Sequence, residues 1–359
     1  MTLSAERQSL VDELRATVRS VCQRLGGPAC ARRAIDGGTP GLDAGAWQVL
    51  SDQLGIAALG IPDAAGGIGG LPELMAVSEE LGAALLPVPF FGSTVLAGQV
   101  LAGCGPTAHP VLQSLVAGEV AALAVNGIQP AVSVAPGLEL GPDGRVSGLA
   151  TAVLDATQAR WLVAEASGVL VLIDLRDPEC RVTPSATLDL CRSAASVSLD
   201  HAQCTILNEE PHAVLGAALD IAALALAAEQ IGGAQACLDM TVAYVTQRHQ
   251  FSRPVGSFQA VKHTLADALV KIELGRSALD RAVEICDSTS ELTEAAAVAR
   301  IWCSDAYRFV SAETIQLHGG IGFTWEHDAH LYFRRARSDA LLLGNTSAWR
   351  DRLATALHW

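Results

Sequence analysis

The sequence contains few aromatic residues, although half of it is hydrophobic. Phe, Trp and Tyr together make up 4% of the 359 residues. Ala, Leu, Val and Gly therefore supply the apolar volume, and small side chains of this kind suit closely packed helices. A chain of this length exceeds what one small core can bury, so we expect two or three packed layers or domains.

The chain also has no run of Lys and Arg and no signal-peptide pattern. Its formal net charge is −14, so nucleic acid is not an expected partner. The residues up to Val21 carry acids and lack an uninterrupted apolar core. The most apolar later stretch, 214–228, is interrupted by Asp220 and is shorter than a bilayer crossing requires. We therefore expect no membrane span and a cytoplasmic location.

The nine cysteines form no CxxC pair, and none stands at metal-ligand spacing from a histidine. No metal site is expected. An odd, dispersed set in an acidic chain of this size predicts unpaired thiols in a reducing cytoplasm. Their expected role is that of small, buried packing residues.

Three segments differ in pattern. Residues 1–116 have helical spacing, including a helix over 42–55 that ends at Gly55. Residues 117–210 contain short, β-branched runs separated by turn residues such as Pro142-Asp143-Gly144, which predict antiparallel strands. Residues 211–359 contain long helical units near 213–247, 258–286 and 291–318, then a final pair. The fold class is therefore α+β and multi-domain: an N-terminal helical domain, a small antiparallel β domain and a C-terminal helical bundle.

Two stretches of the last segment carry a specific resemblance. One is RHQFSRPVGSFQAVKHTLAD (248–267), and the other is QLHGGIGFTWEHD (316–328) followed by LYFRRA. Both resemble the C-terminal signatures of acyl-CoA dehydrogenases. A weaker N-terminal pattern from Trp47 to Gly82 fits the same family, so the resemblance spans essentially the whole chain.

The resemblance implies an FAD enzyme that oxidises an acyl-CoA thioester to its trans-2-enoyl form. FAD takes the β-hydride, and a Glu takes the α-proton. It also implies a tetramer in which the C-terminal bundle of one subunit holds the ADP half of a neighbour's FAD. The expected contacts are a cation for the pyrophosphate, hydrogen-bonding amides, an aromatic face for the adenine and glycines that allow close approach. These residues are Arg248, Gln250, Phe251, Gln259, Gln316, Leu317, His318, Gly319 and Gly320.

Neither family position for the catalytic Glu holds a carboxylate. The C-terminal Glu-Gly-Thr pattern falls on Leu343-Gly344-Asn345-Thr346, and the Glu-Arg pair of the first bundle helix falls on Ala222-Ala223. General-base catalysis needs a carboxylate within hydrogen-bond reach of the carbon acid. Asp220 is two residues from the helix position, which turns its side chain roughly 200° away. We therefore assign no catalytic residue.

The segments that surround the flavin ring in active family members also differ. A Thr-Glu-Pro-Gly-Ala-Gly-Ser-Asp-like loop is replaced by residues 124–130, and a Trp-Ile-Thr-like strand by residues 149–155. Ser252 stands where the family usually has Gly, and its small size predicts little damage. The motif that serves a neighbour's FAD is thus retained, while the parts of this chain's own active site are lost.

This asymmetry resembles the short, base-lacking subunit of actinobacterial α2β2 acyl-CoA dehydrogenases of steroid catabolism. It implies a paralogous partner that carries the catalytic Glu, an acyl-CoA substrate and an electron-transfer flavoprotein as acceptor. Two alternatives remain open. One is a self-sufficient homotetrameric dehydrogenase with an unrecognised base. The other is a non-enzymatic protein that binds CoA esters or acts as a scaffold.

Overall fold

The computed structural model describes residues 5–124, 137–286 and 289–359. By its internal contacts the chain divides into two compact units. The first consists of Met1–Ala29, Met75–Leu86 and Ala223–Trp359, and the second of Cys30–Leu74 and Pro87–Ala222. The division into domains 1–116, 117–210 and 211–359 stays a prediction.

The N-terminal segment is helical. Its helices are α1 (Ala5–Leu25), α2 (Pro28–Asp36), α3 (Ala44–Leu54), α4 (Leu71–Ala84), α5 (Gly98–Gly103) and α6 (His109–Val116). The predicted helix over 42–55 is confirmed as α3. Its first turn is capped by the Asp43 carboxylate, which accepts from the amide of Ala46, and it ends at Gly55 with a left-handed φ of 64°. A π-helix over Phe90–Ala97, which the sequence pattern did not reveal, precedes α5.

Strands fill the middle of the chain and form two four-stranded sheets. They are β1 (Ala121–Ala124), β2 (Leu138–Leu140), β3 (Arg145–Leu154), β4 (Trp161–Ala166), β5 (Val169–Asp174), β6 (Cys180–Pro184), β7 (Ala194–Gln203) and β8 (Thr205–Asn208). The sheet orders are β1-β4-β5-β8 and β2-β3-β7-β6. All described pairs are antiparallel except β1 with β4. The turn predicted at Pro142-Asp143-Gly144 joins β2 to β3, and Gly144 has a φ of 74° there.

The C-terminal segment is a bundle of long helices, as predicted. It contains α7 (Pro211–Gln247), the short strands β9 (His249–Gln250) and β10 (Arg253–Pro254), α8 (Gln259–Glu284), α9 (Thr289–His318), α10 (Ala329–Asp339) and α11 (Thr346–Ala356). A 3₁₀ turn over Gly319–Phe323 follows α9. Helices at both ends of the chain, with strands between them, confirm the α+β fold class.

Helix α7 corrects one argument from the sequence. The apolar stretch 214–228 lies inside a continuous helix of 37 residues, so the helix is long and apolar enough to cross a bilayer. The expectation that this stretch is too short to cross a bilayer was therefore wrong, because Asp220 does not interrupt the helix. Within the protein, however, 78% of its most apolar window is buried. That environment is typical of a core helix.

Ion pairs that are half-buried or buried connect the helices of the first unit. Glu79 on α4 pairs with Arg15 on α1 and with Arg276 on α8, where Nη1 and Oε1 are 2.7 Å apart. Glu229 on α7 pairs with Arg335 on α10, and both side chains are almost completely buried. Removing one partner of such a pair leaves an uncompensated buried charge, which is strongly destabilising.

All nine cysteines, each of which lies in the described ranges, are thiols without a disulfide. Five of them are buried, namely Cys22, Cys30, Cys191, Cys237 and Cys303, and the other four are half-buried. Burial raises the pKa of the Cys30 thiol to about 12 and that of the Cys104 thiol to about 11. Thiols of this kind are poor nucleophiles, as expected for packing residues.

Candidate cofactor-binding site

The ends of α7 and α9 meet side by side, and this contact gathers the predicted site residues. A buried hydrogen bond joins the hydroxyls of Thr241 and Thr314, whose oxygens are 3.0 Å apart. About one turn further along each helix, the ring of Tyr244 stacks on that of His318, with centroids 4.4 Å apart and planes inclined by 25°. Two segments whose hydrogen-bonded threonines are 73 residues apart in sequence are thus held together.

His318 is the most buried member of the predicted set, with 3% of its surface exposed. Its Nδ1 lies 2.7 Å from the carbonyl oxygen of Thr314, and its second face packs against the ring of His327 at 4.4 Å. Its Nε2 is buried and has no hydrogen-bond partner among the described residues. Burial lowers the pKa of His318 below its ordinary value of 6.5, so the ring is neutral at pH 7.

Arg248 begins the segment that follows α7. Its amide donates to the carbonyl of Tyr244 over 2.9 Å, and its carbonyl accepts from the amide of Val255 over 2.7 Å. The backbone of Arg248 is therefore fixed one helical turn beyond the residue that stacks on His318. Its guanidinium is exposed and makes no hydrogen bond or ion pair with any described residue.

The β9–β10 hairpin corrects the expectation for Ser252. Phe251 and Ser252 form its two-residue turn with φ values of 52° and 63°. Both values lie in the left-handed region, which glycine tolerates and most other residues adopt at a cost. The backbone conformation explains why a glycine suits this position, so the small size of Ser252 does not remove the penalty. The turn leaves Phe251 88% exposed.

The remaining predicted residues occupy the surface of the first unit. Gln250 lies on β9, Gln259 is the first residue of α8, and Gln316 is in the last turn of α9; all three are exposed. Leu317 is half-buried. Helix α8 begins without a side-chain cap, so its first amide groups remain available to a ligand.

Gly319 and Gly320 have open space beside them. Gly319 adopts a left-handed φ of 61°, and a methyl group added to either glycine would meet no atom of the described chain within 4 Å. Sequence reasoning missed two neighbours, Phe323 and Trp325, whose side chains are 76% and 57% exposed. Their only signal in the sequence was their place inside the GGIGFTW run.

Apolar residues occupy both positions of the family's catalytic base. Ala222 on α7 is fully buried, and Leu343 is 7% exposed with a left-handed φ of 60°. Asp220 is also buried, at 5% exposure, and takes part in an interaction of its own. Because Asp220 and Ala222 lie on one continuous helix, their side chains point roughly 200° apart.

Comparisons with known proteins identify the family. Residues 212–358 match the family model described as "Acyl-CoA dehydrogenase, C-terminal domain". The chain is 37% identical over 343 residues to "Acyl-CoA dehydrogenase IpdE2" of Mycolicibacterium smegmatis, covering 95% of this chain and 96% of the relative. The chain belongs to the acyl-CoA dehydrogenase family.

Two solved structures are similar along almost the whole chain. One is a variant of the Tcur3481-Tcur3483 steroid ACAD, with 32% identity, a TM-score of 0.86 and coverage of 98% of both chains. The other is the ChsE4-ChsE5 complex from Mycobacterium tuberculosis, with 27% identity, a TM-score of 0.85 and coverage of 97% of both chains.

Acyl-CoA dehydrogenases are FAD-dependent, and the residues of the first unit fit the ADP half of that cofactor. The Arg248 guanidinium has no internal partner within the described part of the chain and can pair with a pyrophosphate. Open space lies beside Gly319 and Gly320. Phe251 offers an exposed ring face. The charge, hydrogen-bonding groups and free surface of an ADP site are therefore all present.

The segments that replace the family's flavin-ring site offer fewer groups that could bind a cofactor. Residues 125–130 of the divergent loop lie outside the described residues. In the divergent strand 149–155, the register slips between Ala150 and Val153, and Ala152 and Asp155 have φ values of 55° and 56°. The Asp155 carboxylate is buried and accepts from the Ser193 hydroxyl over 3.0 Å. That acidic group is thus held inside the second unit.

Proposed function

We propose that this chain is the base-lacking subunit of a heteromeric acyl-CoA dehydrogenase. In this proposal its C-terminal bundle supplies the ADP half-site for the FAD of a partner subunit. The partner is a paralogous chain that carries the catalytic Glu. The complex desaturates an acyl-CoA thioester between its α and β carbons and passes electrons to an electron-transfer flavoprotein.

The observation that carries the proposal is the burial of Ala222 and Leu343. Both base positions are closed by apolar packing, so a substrate α-proton has no carboxylate to accept it at either place. Leu343 is followed by Gly344 with a φ of 100°. The turn therefore keeps the left-handed geometry of a glycine-containing loop while its leucine side chain is packed inside.

The half-site is supported by the contrast between its buried and exposed parts. The buried His318 and the half-buried Tyr244 that stacks on it form a fixed platform under the site. Arg248, Gly319 and Gly320 lie at the surface beside them, with no internal partner or neighbour in the described chain. Exposed binding groups that are held by a packed framework are preorganised, so they lose little conformational freedom when a ligand binds.

The relatives support the partner and the substrate class. One similar structure is the Tcur3481-Tcur3483 steroid ACAD, and another is the ChsE4-ChsE5 complex. We therefore propose an acyl-CoA derived from steroid breakdown as the substrate class. A cytoplasmic location is part of the same proposal, because acyl-CoA thioesters and reduced thiols occur together in that compartment.

The residues of this chain have binding and orienting roles in the proposed mechanism. FAD, when bound, accepts the hydride that leaves the β carbon. Arg248 neutralises pyrophosphate charge, and the amides of Gln250, Gln259 and Gln316 hydrogen-bond to the dinucleotide. The glycines at 319 and 320 let the backbone approach it. The α-proton is accepted by the partner's base and by no residue of this chain.

A self-sufficient dehydrogenase would need an unrecognised base, and Asp220 is the carboxylate nearest in sequence to a base position. That carboxylate is buried and already engaged in an interaction, and it points away from the direction of residue 222. The purified chain should therefore show no turnover with acyl-CoA substrates. Robust turnover by this chain alone would favour the self-sufficient alternative and contradict the proposal.

Flavin content tests the half-site. In the complex purified with its partner, Arg248→Ala should lower FAD occupancy, because the pyrophosphate loses a charge-assisted partner worth roughly 1.5–3 kcal/mol. Arg308→Ala is the matched control, since Arg308 is exposed on the same bundle and makes no described side-chain contact. Gly320→Val should also lower occupancy by filling the open space, and Cys286→Ser should not. Equal FAD in all four assembled variants would contradict the half-site.

Stoichiometry tests the subunit role. The complex should hold about one FAD per heterodimer, because each FAD needs a flavin-ring site from one subunit and an ADP site from another. A ratio near one per chain would mean that this chain builds a working flavin-ring site and would overturn the assignment. Ala222→Glu alone should not restore activity to this chain, since a carboxylate without a flavin beside the substrate has no hydride acceptor.

A further inference from the structure

The second unit contains a cavity that no part of the proposed dehydrogenase function uses. Its volume is about 290 Å³, near the lower end of the usual range for ligand sites. It lies between loop 38–42, the residues that follow β3, and the facing ends of β6 and β7. Its polar lining residues are Thr39, Thr157, Gln158, Ser185, Thr187 and Ser193.

Two of the lining hydroxyls already use their hydrogens inside the protein. The Thr187 hydroxyl donates to the carbonyl of Asp189 over 2.6 Å. The Thr39 hydroxyl lies 3.2 Å from the carbonyl of Leu42 and donates to it. A hydroxyl carries one donor and two acceptor lone pairs. Towards the cavity, both threonine oxygens therefore act as acceptors.

A buried carboxylate likewise fixes the orientation of the Ser193 hydroxyl. Its hydroxyl donates to Asp155 Oδ1 over 3.0 Å and accepts from Gln158 Nε2 over 2.9 Å. Its one remaining lone pair is an acceptor. The wall thus offers several acceptors whose orientations are set in advance.

Close backbone packing keeps this wall in place. Gly41, with a φ of 81°, lies so near the β7 end that an added methyl group would come within 2.2 Å of the Ser193 amide nitrogen. Only glycine fits such an approach. The loop that carries Thr39 is therefore held directly against Ser193, the residue before β7, and the cavity has a defined shape.

The lining has no charged side chain among the described residues that form it. An anion would find no cation there, and three of the five lining hydroxyls, those of Thr39, Thr187 and Ser193, direct their hydrogens into the protein. A cation would lose its hydration without a direct counter-ion. We propose that this cavity binds a small, uncharged ligand that donates hydrogen bonds, of the class of alcohols and polyols. The site is independent of the FAD half-site, because all its residues belong to the second unit.

The test uses the full purified chain and three matched probes measured by ligand-observed NMR. Cyclohexanediol carries two donors, its dimethyl ether retains the oxygens without donors, and cyclohexanedicarboxylate carries negative charge. We expect saturable binding of the diol only. Binding of the ether or the dicarboxylate with equal affinity, or no saturable binding of the diol, would overturn the proposal.

Variants locate the binding. Thr39→Val and Thr187→Val keep the side-chain shape and remove an acceptor, so each should weaken diol binding about five- to tenfold, as expected for one neutral hydrogen bond. Thr157→Phe adds bulk at an exposed lining position and should abolish binding even if the valine variants fold poorly. Thr151→Val, exposed on β3 and outside the lining, should bind like the wild type. Wild-type affinity in Thr157→Phe would show that the diol binds elsewhere.

Discussion

Arg300 is the buried cation on which the turn after α10 depends. Its side chain is 1% exposed. Its Nη1 donates to Gln230 Oε1, and its Nη2 donates to the carbonyls of Asp339 and Leu342, each over 2.8 Å. Burial lowers the pKa of Arg300 to about 10, so the guanidinium remains charged at pH 7. The guanidinium therefore joins α7, α9 and the turn that leads to Leu343.

Replacing Arg300 with Met keeps much of the side-chain volume but removes the charge and all three donors. Two buried acceptors and one half-buried acceptor would lose their partner, and the nearby Asp339 would lose a compensating charge. We expect a loss of about 3–5 kcal/mol in stability, the range found when one member of a buried polar network is removed. Arg308→Met, an exposed change on the same helix, should stay within about 0.5 kcal/mol of the wild type.

The assay should combine thermal unfolding with amide hydrogen exchange of residues 339–344. A chain with two compact units need not unfold in a single step, so a melting temperature alone is an incomplete measure. Exchange reports opening of the turn itself. We expect faster exchange at 339–344 in Arg300→Met and wild-type exchange in Arg308→Met. Equal melting and equal exchange in the two variants would refute the reasoning.

Two further predictions concern the bundle. Because burial lowers the pKa of His318, the unfolded chain binds a proton below about pH 6.5 that the folded chain does not, so stability is present above that pH and falls below it. His318→Asn should flatten the fall in melting temperature between about pH 7.5 and 5.5; an unchanged slope would contradict the assignment. Gly232→Ala should destabilise by about 1–3 kcal/mol, because the new methyl would lie 1.9 Å from the Glu79 carbonyl oxygen. Gly216→Ala, on the same helix with open space around it, should be neutral or slightly stabilising by thermal unfolding, and an equal loss in both variants would exclude the packing explanation.

The sequence predicted most of the fold because the relevant signals are local. Helix α3 followed from apolar spacing between Asp43 and Gly55, and the β2–β3 turn followed from Pro142-Asp143-Gly144. The sequence did not predict that β1 pairs in parallel with β4. The relative direction of two paired strands depends on the course of the chain between them, which no local pattern specifies. The sequence predicted one helix near 213–247, but the argument that Asp220 interrupts its apolar stretch was wrong, because a single buried acid can be accommodated by tertiary contacts.

The candidate site divides in the same way. The identities of its residues, the family to which they belong and the lack of a carboxylate at positions 222 and 343 are properties of the sequence alone. The stack of Tyr244 on His318 and the hold of Arg300 on the turn before Leu343 are properties of the tertiary structure. The physical reason is sequence separation. A motif specifies which groups are present, but contacts between residues tens of positions apart depend on how the helices pack, and packing decides which groups become buried and which stay open to a ligand.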